Sequence, residues 1–463
     1  MPFYRRNHKN FSQRQALVIN KEQIFDFIRE VYPLHRTLNS EDTSRAYDIV
    51  RKYMPGTLEF KVLDFAPGEN AWDWPVPPRF TVNKAQLSRK GGPVIVDFRN
   101  NPLHVVSYSQ PFHGELSFDE LDKHLHYSKR NPSAIPWVYR YYQKDWGFCL
   151  SLDQYNKMDR NARYVVDIDT QFDYSKPFQV AEAYFEINPA YDDFIVVSNI
   201  CHPHQVNDSI SGAACAIFIA RWLVENGQKE NLKKNIRFLF CPERIGSIVY
   251  LSRNPEKLKK IRSGVFTEFL GYTDTLNLQH SLFESSSIDR VAAIILGESP
   301  VEYSERSFEP WNDEGVFNCH GVRIPMIFLS RTTNKILENY HTSDDNPGNL
   351  DKPSLFESLE IVKDIVYAEL RNCVPKHLIE AGPPFLSKRN LWIDWTQSDK
   401  GYAQNLLLEQ LLCRIDGEKD IVKLYEEIKE IIPEMKYSDI FDVLAPLVRE
   451  RLIELMPLPG AHS

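Results

Sequence analysis

FIVVSNICHPHQVNDSISGAACAIFIARWLVEN, residues 194–226, is the stretch on which the reading of this chain turns. Its first part, FIVVSNI, is a nearly continuous apolar run, as a parallel strand buried on both faces requires. Its last part, GAACAIFIARWLVEN (212–226), reads as a buried helix. A short polar segment carrying His202 and Asp208 separates the two.

Working outward, the same alternation recurs. IRFLFC (236–241), GVFTEF (264–269) and PMIFLS (325–330) read as further strands, and SLFESLEIVKDIVYAELRN (354–372) as a long helix. Strand alternating with helix over this length predicts an α/β fold: a doubly wound, mostly parallel sheet with helices on both faces.

The flanks differ. KEQIFDFIREVY and TSRAYDIVRKYM place apolar residues at helical spacing, and the second ends at Pro55-Gly56. Short β-rich runs (LEFKVLDF, PVIVDF, HVVSYSQPF) between Pro and Gly clusters then predict a small inserted β-rich domain over 57–130. The main domain is expected to comprise 21–56 and 131–385. After the break AGPPF (381–385), LLLEQLLCRIDGEKDIVKLYEEI and YSDIFDVLAPLVRERLIELM read as three helices, a winged-helix-like module over 386–456.

The whole-chain balance narrows the function classes. The chain has 463 residues and a formal net charge of -8, from 55 basic and 63 acidic side chains. That balance argues against a nucleic-acid partner. No apolar run approaches the roughly 20 residues that cross a bilayer, so no membrane association is expected. The seven cysteines include no C-x-x-C pair. The N-terminal MPFYRRNHKNFSQRQ has no apolar core of a secretory signal. A cytoplasmic protein with reduced thiols is expected.

The chemistry lies at the strand ends. FIVVSNIC runs into His202, with Asp208 six residues on; IRFLFCP ends at Glu243; GVFT ends at Glu268; beyond PMIFLS comes His341. In open α/β sheets ligands bind beyond the carboxyl ends of strands. Two imidazoles and three carboxylates there are the donor chemistry of a zinc site with open positions, for one or two ions. Cys201 beside His202 points to the opposite face of the strand and is expected in the core.

The segment CHPHQVNDSISGAACAIFIARWL resembles the ligand segment of the co-catalytic zinc aminopeptidases, the family of bacterial leucyl aminopeptidase and glutamate carboxypeptidase. Asp208-Ser209-Ile210-Ser211-Gly212 is similar to its Asp turn, Tyr340-His341-Thr342-Ser343-Asp344-Asp345 to its closing motif, and Glu268-Phe269-Leu270-Gly271 to its Asp-Met-Ile-Gly. Asn312-Asp313-Glu314, followed by Phe317 and Gly321-Val322-Arg323-Ile324-Pro325, resembles a further family stretch. The runs 134–151 and CPERIGSIVYLSRN resemble a subgroup of aminopeptidase-like proteins with an inserted β domain and a C-terminal winged helix.

The resemblance implies a zinc-dependent hydrolase of amide or peptide bonds. It implies His202, Asp208, Glu243, Glu268 and His341 as metal ligands, and Tyr340 and Asp313 as substrate contacts. Two departures bear on the chemistry. The family's adjacent Glu-Glu, general base then ligand, is here Pro242-Glu243-Arg244, so Glu243 is either base or ligand. If it is a ligand, Asp208, Glu243 and His341 hold one ion, His202, Asp208 and Glu268 the other, and Glu314 is the candidate base. If it is the base, a single zinc is expected. His202-Pro203-His204 replaces the family's His-x-Asp, so another group must orient His202.

The expected substrate is a peptide or an amide-containing small molecule. A zinc amidohydrolase or deacylase acting on a sugar- or peptide-derived metabolite is the alternative. A second alternative is a catalytically impaired metal-binding scaffold whose winged helix recruits a peptide or protein. A homo-oligomer is compatible with either.

Overall fold

Every residue of the strand Asp193–Asn199 is buried, and its alternate side chains enter two different cores. Phe194 and Val196 join one hydrophobic cluster, Ile195 and Val197 the other. The neighbouring strand Asn235–Cys241 divides in the same way, with Ile236, Phe238 and Phe240 on one side and Leu239 and Cys241 on the other. An unbroken apolar strand demands this two-sided cover, because successive side chains point to opposite faces.

The computed structural model describes residues 21–227, 229–331, 338–394 and 399–458; the N-terminal stretch read above lies outside them. Its main sheet has eight strands, in the order Glu59–Phe65, Phe178–Phe185, Asn235–Cys241, Asp193–Asn199, Ile261–Thr267, Met326–Ser330, Leu276–Gln279 and Tyr303–Arg306. The four strands from Asn235–Cys241 to Met326–Ser330 run parallel. Antiparallel pairings flank them on both sides.

Helices cover both faces. Ser211–Asn226 lies on one, buried without interruption from Ser211 to Ala220, beside Lys21–Val31 and Lys352–Arg371. Ile245–Arg253 lies on the other. The start of Ser211–Asn226 sits so close to the sheet that a Cβ on Gly212 would stand 2.0 Å from the Thr267 carbonyl oxygen. Only glycine permits that approach, and it brings the turn carrying Asp208 against the end of the strand leading to Glu268.

The sheet memberships cross the boundaries expected from composition. Glu59–Phe65 pairs along its whole length with Phe178–Phe185 and belongs to the main sheet. The four-stranded small sheet takes Val94–Asp97, Arg79–Arg89, Arg163–Asp173 and Phe112–Ser117, so it draws on residues far beyond 130. The reason is visible in RYVVDIDTQFD: Tyr164, Val166 and Ile168 are buried on one face while the other, polar apart from Val165, is more exposed, the alternation of a one-sided antiparallel sheet. This sheet has its own hydrophobic cluster, including Leu87, Val96, Phe148 and Ile168.

At the C-terminal end, the helices Asp399–Arg414, Ile421–Lys429 and Tyr437–Arg449 precede a strand, Ile453–Met456, antiparallel to Val374–His377. Leu411, Ile421 and Leu444 share the hydrophobic cluster of the main sheet. Arg290 grips Glu426 with two hydrogen bonds, 2.8 and 2.9 Å. Among the described residues no helix is long and apolar enough to cross a membrane.

Gly212→Ala forces the helix off the sheet and is expected to destabilise the fold by about 1–3 kcal/mol, the usual cost of overpacking. Thermal unfolding followed by circular dichroism checks this. An unchanged midpoint would contradict the close approach.

Candidate metal centre

The turn from Ile200 to Ile210 is held from three directions before any ligand is considered. Below it lies the fully buried Arg36, whose guanidinium donates to the carbonyls of Ile200 (2.8 Å) and Gln205 (3.2 Å). Beside it, the Asn207 carboxamide oxygen accepts the Gly271 N–H at 2.9 Å and the Asn207 carbonyl accepts the Phe269 N–H at 3.0 Å. From the far side, the buried Asp345 carboxylate takes the N–H groups of Asn207 and Asp208, each at 2.9 Å. Burial pushes the Asp345 carboxyl up to about 7, against those two N–H bonds.

So placed, Asp208 offers its two carboxylate oxygens to two different imidazoles. Oδ1 lies 3.2 Å from His202 Nδ1 and Oδ2 lies 3.0 Å from His341 Nε2. Donor atoms of His202, Asp208 and His341 all lie within 4.8 Å of one another. Glu243 Oε2 stands 3.3 Å from His202 Nε2. Glu268 contacts Asp208 and accepts the Asn312 amide at 2.9 Å. Of the five groups predicted as ligands, His202, Asp208 and His341 meet at ligand range, and Glu243 and Glu268 stand beside them.

The electrostatics are those of crowded, buried carboxylates. Burial opposes the charge on Asp208, but His202 and His341 outweigh it and hold the carboxyl down at about 2. Burial, with the Asp208 charge added, pushes Glu268 well above the usual carboxylate range. Burial opposes protonation of His202, yet the Asp208 carboxylate wins and raises it well above an ordinary imidazole. A second Glu268 oxygen, Oε1, is buried with no hydrogen-bond partner. Such a cluster is costly without a cation, because each buried negative charge needs a partner. The donor set of two imidazoles with carboxylates suits a zinc ion.

One functional residue escaped the sequence reading. The edge of the Trp137 indole packs against both imidazoles, its ring centre 4.6 Å from each. The segment 135–137 runs along 341–343: the Trp137 N–H donates to the His341 carbonyl at 2.7 Å, and Ile135 and Ser343 exchange two hydrogen bonds. These partners are 208 positions apart in the chain, so no local periodicity marks them. The one sequence signal was an aromatic run rich in Trp and Tyr.

The other predicted site residues take varied places. Tyr340 stacks on His341, with ring centres 3.8 Å apart, and is partly exposed. Asp313 is buried behind the turn after Glu243, where it accepts the Arg244 N–H at 3.1 Å and the Ser247 hydroxyl; burial raises its carboxyl to about 6. Glu314 is buried too, its Oε1 accepting the N–H groups of Trp311 (3.0 Å) and Asn312 (2.9 Å). It reaches the cluster through Asn312, and burial raises it to about 7. Cys201 is in the core as expected, its sulfur accepting the Glu243 N–H. The position left by the family's His-x-Asp is filled locally: His202 Nδ1 faces Asp208, with the Ser209 hydroxyl at 3.4 Å.

Residues 25–372 match the family described as Domain of unknown function (DUF4910). The chain belongs to that family. It is 31% identical over 375 residues to a Clostridium acetobutylicum protein described as a polysaccharide biosynthesis protein with aminopeptidase-like domain, covering 80% of this chain and 83% of that one. A crystal structure from the same organism, described as a candidate peptidase, superposes with a TM-score of 0.82 at 28% identity, over 97% of this chain and 99% of the other. The zinc aminopeptidase BSAP of Bacillus subtilis shares the fold, with a TM-score of 0.56 at 16% identity over 75% and 94% of the two chains. A peptidase M28 precursor of Shewanella amazonensis shares it as well (0.54, 10%, 78% and 97%). This member of the DUF4910 family thus has the fold of zinc aminopeptidases.

Asp345→Ala releases the two N–H groups that set the Asp208 backbone. Supporting groups of this kind typically account for about 10–100-fold in metal affinity, and a loss of that size is expected by competition with a zinc chelator. Unchanged affinity would remove Asp345 from the account.

Proposed function

We propose that this chain is a zinc-dependent hydrolase of amide or peptide bonds, aminopeptidase-like, acting on a peptide or an amide-containing small molecule. The observation that carries the reading is the meeting of His202, Asp208 and His341 donor atoms within 4.8 Å, with Glu243 and Glu268 against them. The unpartnered buried oxygen of Glu268 supports the fit to a cation. A zinc ion held there supplies a Lewis acid for the scissile carbonyl and brings the pKa of water down towards ~7.

The protein groups divide the remaining work. Glu243 is 31% exposed while His202 and Asp208 are 2% exposed, which suits the carboxylate that meets solvent and substrate. In that role it takes the proton from water and returns it to the leaving amine. His202, Asp208 and His341 then hold one ion. With Glu243 as ligand instead, Asp208, Glu243 and His341 would hold one ion and His202, Asp208 and Glu268 a second, and another group must act as base. Glu314 is then the candidate base: its Oε1 accepts two backbone N–H groups, while its Oε2 is buried without a hydrogen-bond partner. Tyr340 and Trp137 form aromatic walls beside the imidazoles.

A second reading, a zinc amidohydrolase acting on a sugar-derived amide, is favoured by the description of the Clostridium relative as a polysaccharide biosynthesis protein. For the C-terminal part, the order of three helices and a strand supports a winged-helix-like module that takes a peptide or protein partner.

Assayed on aminoacyl anilides with zinc-loaded protein, Glu243→Gln is expected to lower kcat by about 100- to 10,000-fold while bound zinc is retained. Loss of zinc together with activity would make Glu243 a ligand. An unchanged rate would remove it from the chemistry, and no cleavage of any amide by the wild type would refute the hydrolase reading.

A further inference from the structure

Arg244 follows Glu243 with a left-handed backbone, φ +56°. The turn around it is pinned: its own N–H donates to Asp313 at 3.1 Å, and the Ile245 N–H donates to the Glu243 carbonyl at 2.6 Å. A guanidinium carries five N–H donors and keeps its charge at any working pH. The protein offers this one very little. Nη1 lies 3.5 Å from the Trp311 carbonyl oxygen, at the limit of a hydrogen bond. The Trp74 ring centre is 5.8 Å from Cζ, near the limit of a cation–π contact. Nε is buried and has no hydrogen-bond partner.

Several half-buried or buried arginines of this fold hold carboxylates, while Arg36 gives its guanidinium to backbone carbonyls and Arg371 stacks on Phe441. Arg237 pairs with Glu182 and Asp193, Arg290 with Glu426, and Arg331 with Glu357. Among the described residues Arg244 forms no ion pair, and the nearest carboxylate in the chain, Glu243, turns instead to His202. The setting is the rim of the metal cluster. Trp311 is 70% exposed, and its neighbour Asn312 holds Glu268. Trp74 on the other side meets the edge of Tyr142.

We propose that Arg244 is the anion-recognising residue of the substrate subsite, and that the preferred substrate bears a carboxylate near its scissile amide. The inference rests on the hydrolase reading above and names the substrate class for that same site. The planar fork of the guanidinium matches a carboxylate with two parallel hydrogen bonds, which an ammonium cannot reproduce. The carboxylate is either an acidic side chain or the free C-terminal carboxylate of a short peptide.

The test uses zinc-loaded wild type, Arg244→Gln and Arg244→Lys. Tryptophan fluorescence reports binding of glutarate and of its neutral counterpart glutaramide. Wild type is expected to bind glutarate at least about tenfold more tightly, as charge-assisted hydrogen bonds warrant. Arg244→Gln erases the preference and Arg244→Lys restores part of it. In a hydrolysis arm, preference for Glu-Ala-amide over Gln-Ala-amide assigns the carboxylate to a side chain. Preference for Gln-Ala over Gln-Ala-amide assigns it to the C-terminus. Equal binding of the two ligands by wild type, or a glutarate preference that survives in Arg244→Gln, overturns the proposal. Cleavage of these peptides without carboxylate preference overturns it while leaving the hydrolase reading intact. An Arg244-dependent glutarate preference without cleavage of any amide supports the subsite and defeats the hydrolase reading.

Discussion

Two backbone N–H groups, those of Asn207 and Asp208, end on one buried carboxylate, Asp345, and the site's geometry depends on that arrangement. It turns the Asp208 side chain so that its oxygens face His202 and His341 separately. Around this point the other restraints are layered. Arg36 braces the turn from beneath, Asn207 stitches it to the segment after Glu268, and Gly212 lets the following helix close onto the sheet. None of these groups is a ligand, yet each fixes where the ligands can be.

The sheet explains why the donors converge. Four parallel strands, buried on both faces, carry chain ends with the same polarity to one edge. Residues just past those ends have backbone groups freed from the ladder and side chains free to turn inward. His202, Glu243 and Glu268 are such residues, and His341, which follows the fourth strand in sequence, meets them there. Several residues here, Arg244, Phe269 and His341 among them, have positive φ, a conformation that non-glycine residues adopt at some cost.

Much of this was legible in the chain. Apolar runs ending in His202, Glu243 and Glu268 announced buried strands with donors at their ends, and the turn Asp208–Gly212 announced the helix behind them. Residues acting through distant contacts were not legible. Trp137 lies against both imidazoles only because 135–137 runs beside 341–343. Asp345 was visible as part of a motif, but its task, accepting two N–H groups from another loop, has no local signature. For Glu314 the spacing identified a carboxylate but not its setting, with one oxygen held by the backbone of Trp311 and Asn312 and the other buried without a partner. The extent of the small sheet was missed because its bounds were read from the Pro- and Gly-separated runs of 57–130, whereas Arg163–Asp173 joins it from beyond them.

The central claim, that these five groups exist to hold a cation, is tested most directly by metal content. Elemental analysis of protein purified without chelator, wild type beside Asp208→Ala, is the measurement. The account predicts stoichiometric zinc in the wild type and its loss in the variant with the fold retained by circular dichroism. Wild-type protein that binds no zinc even after reconstitution, or a variant that keeps it, would contradict the account.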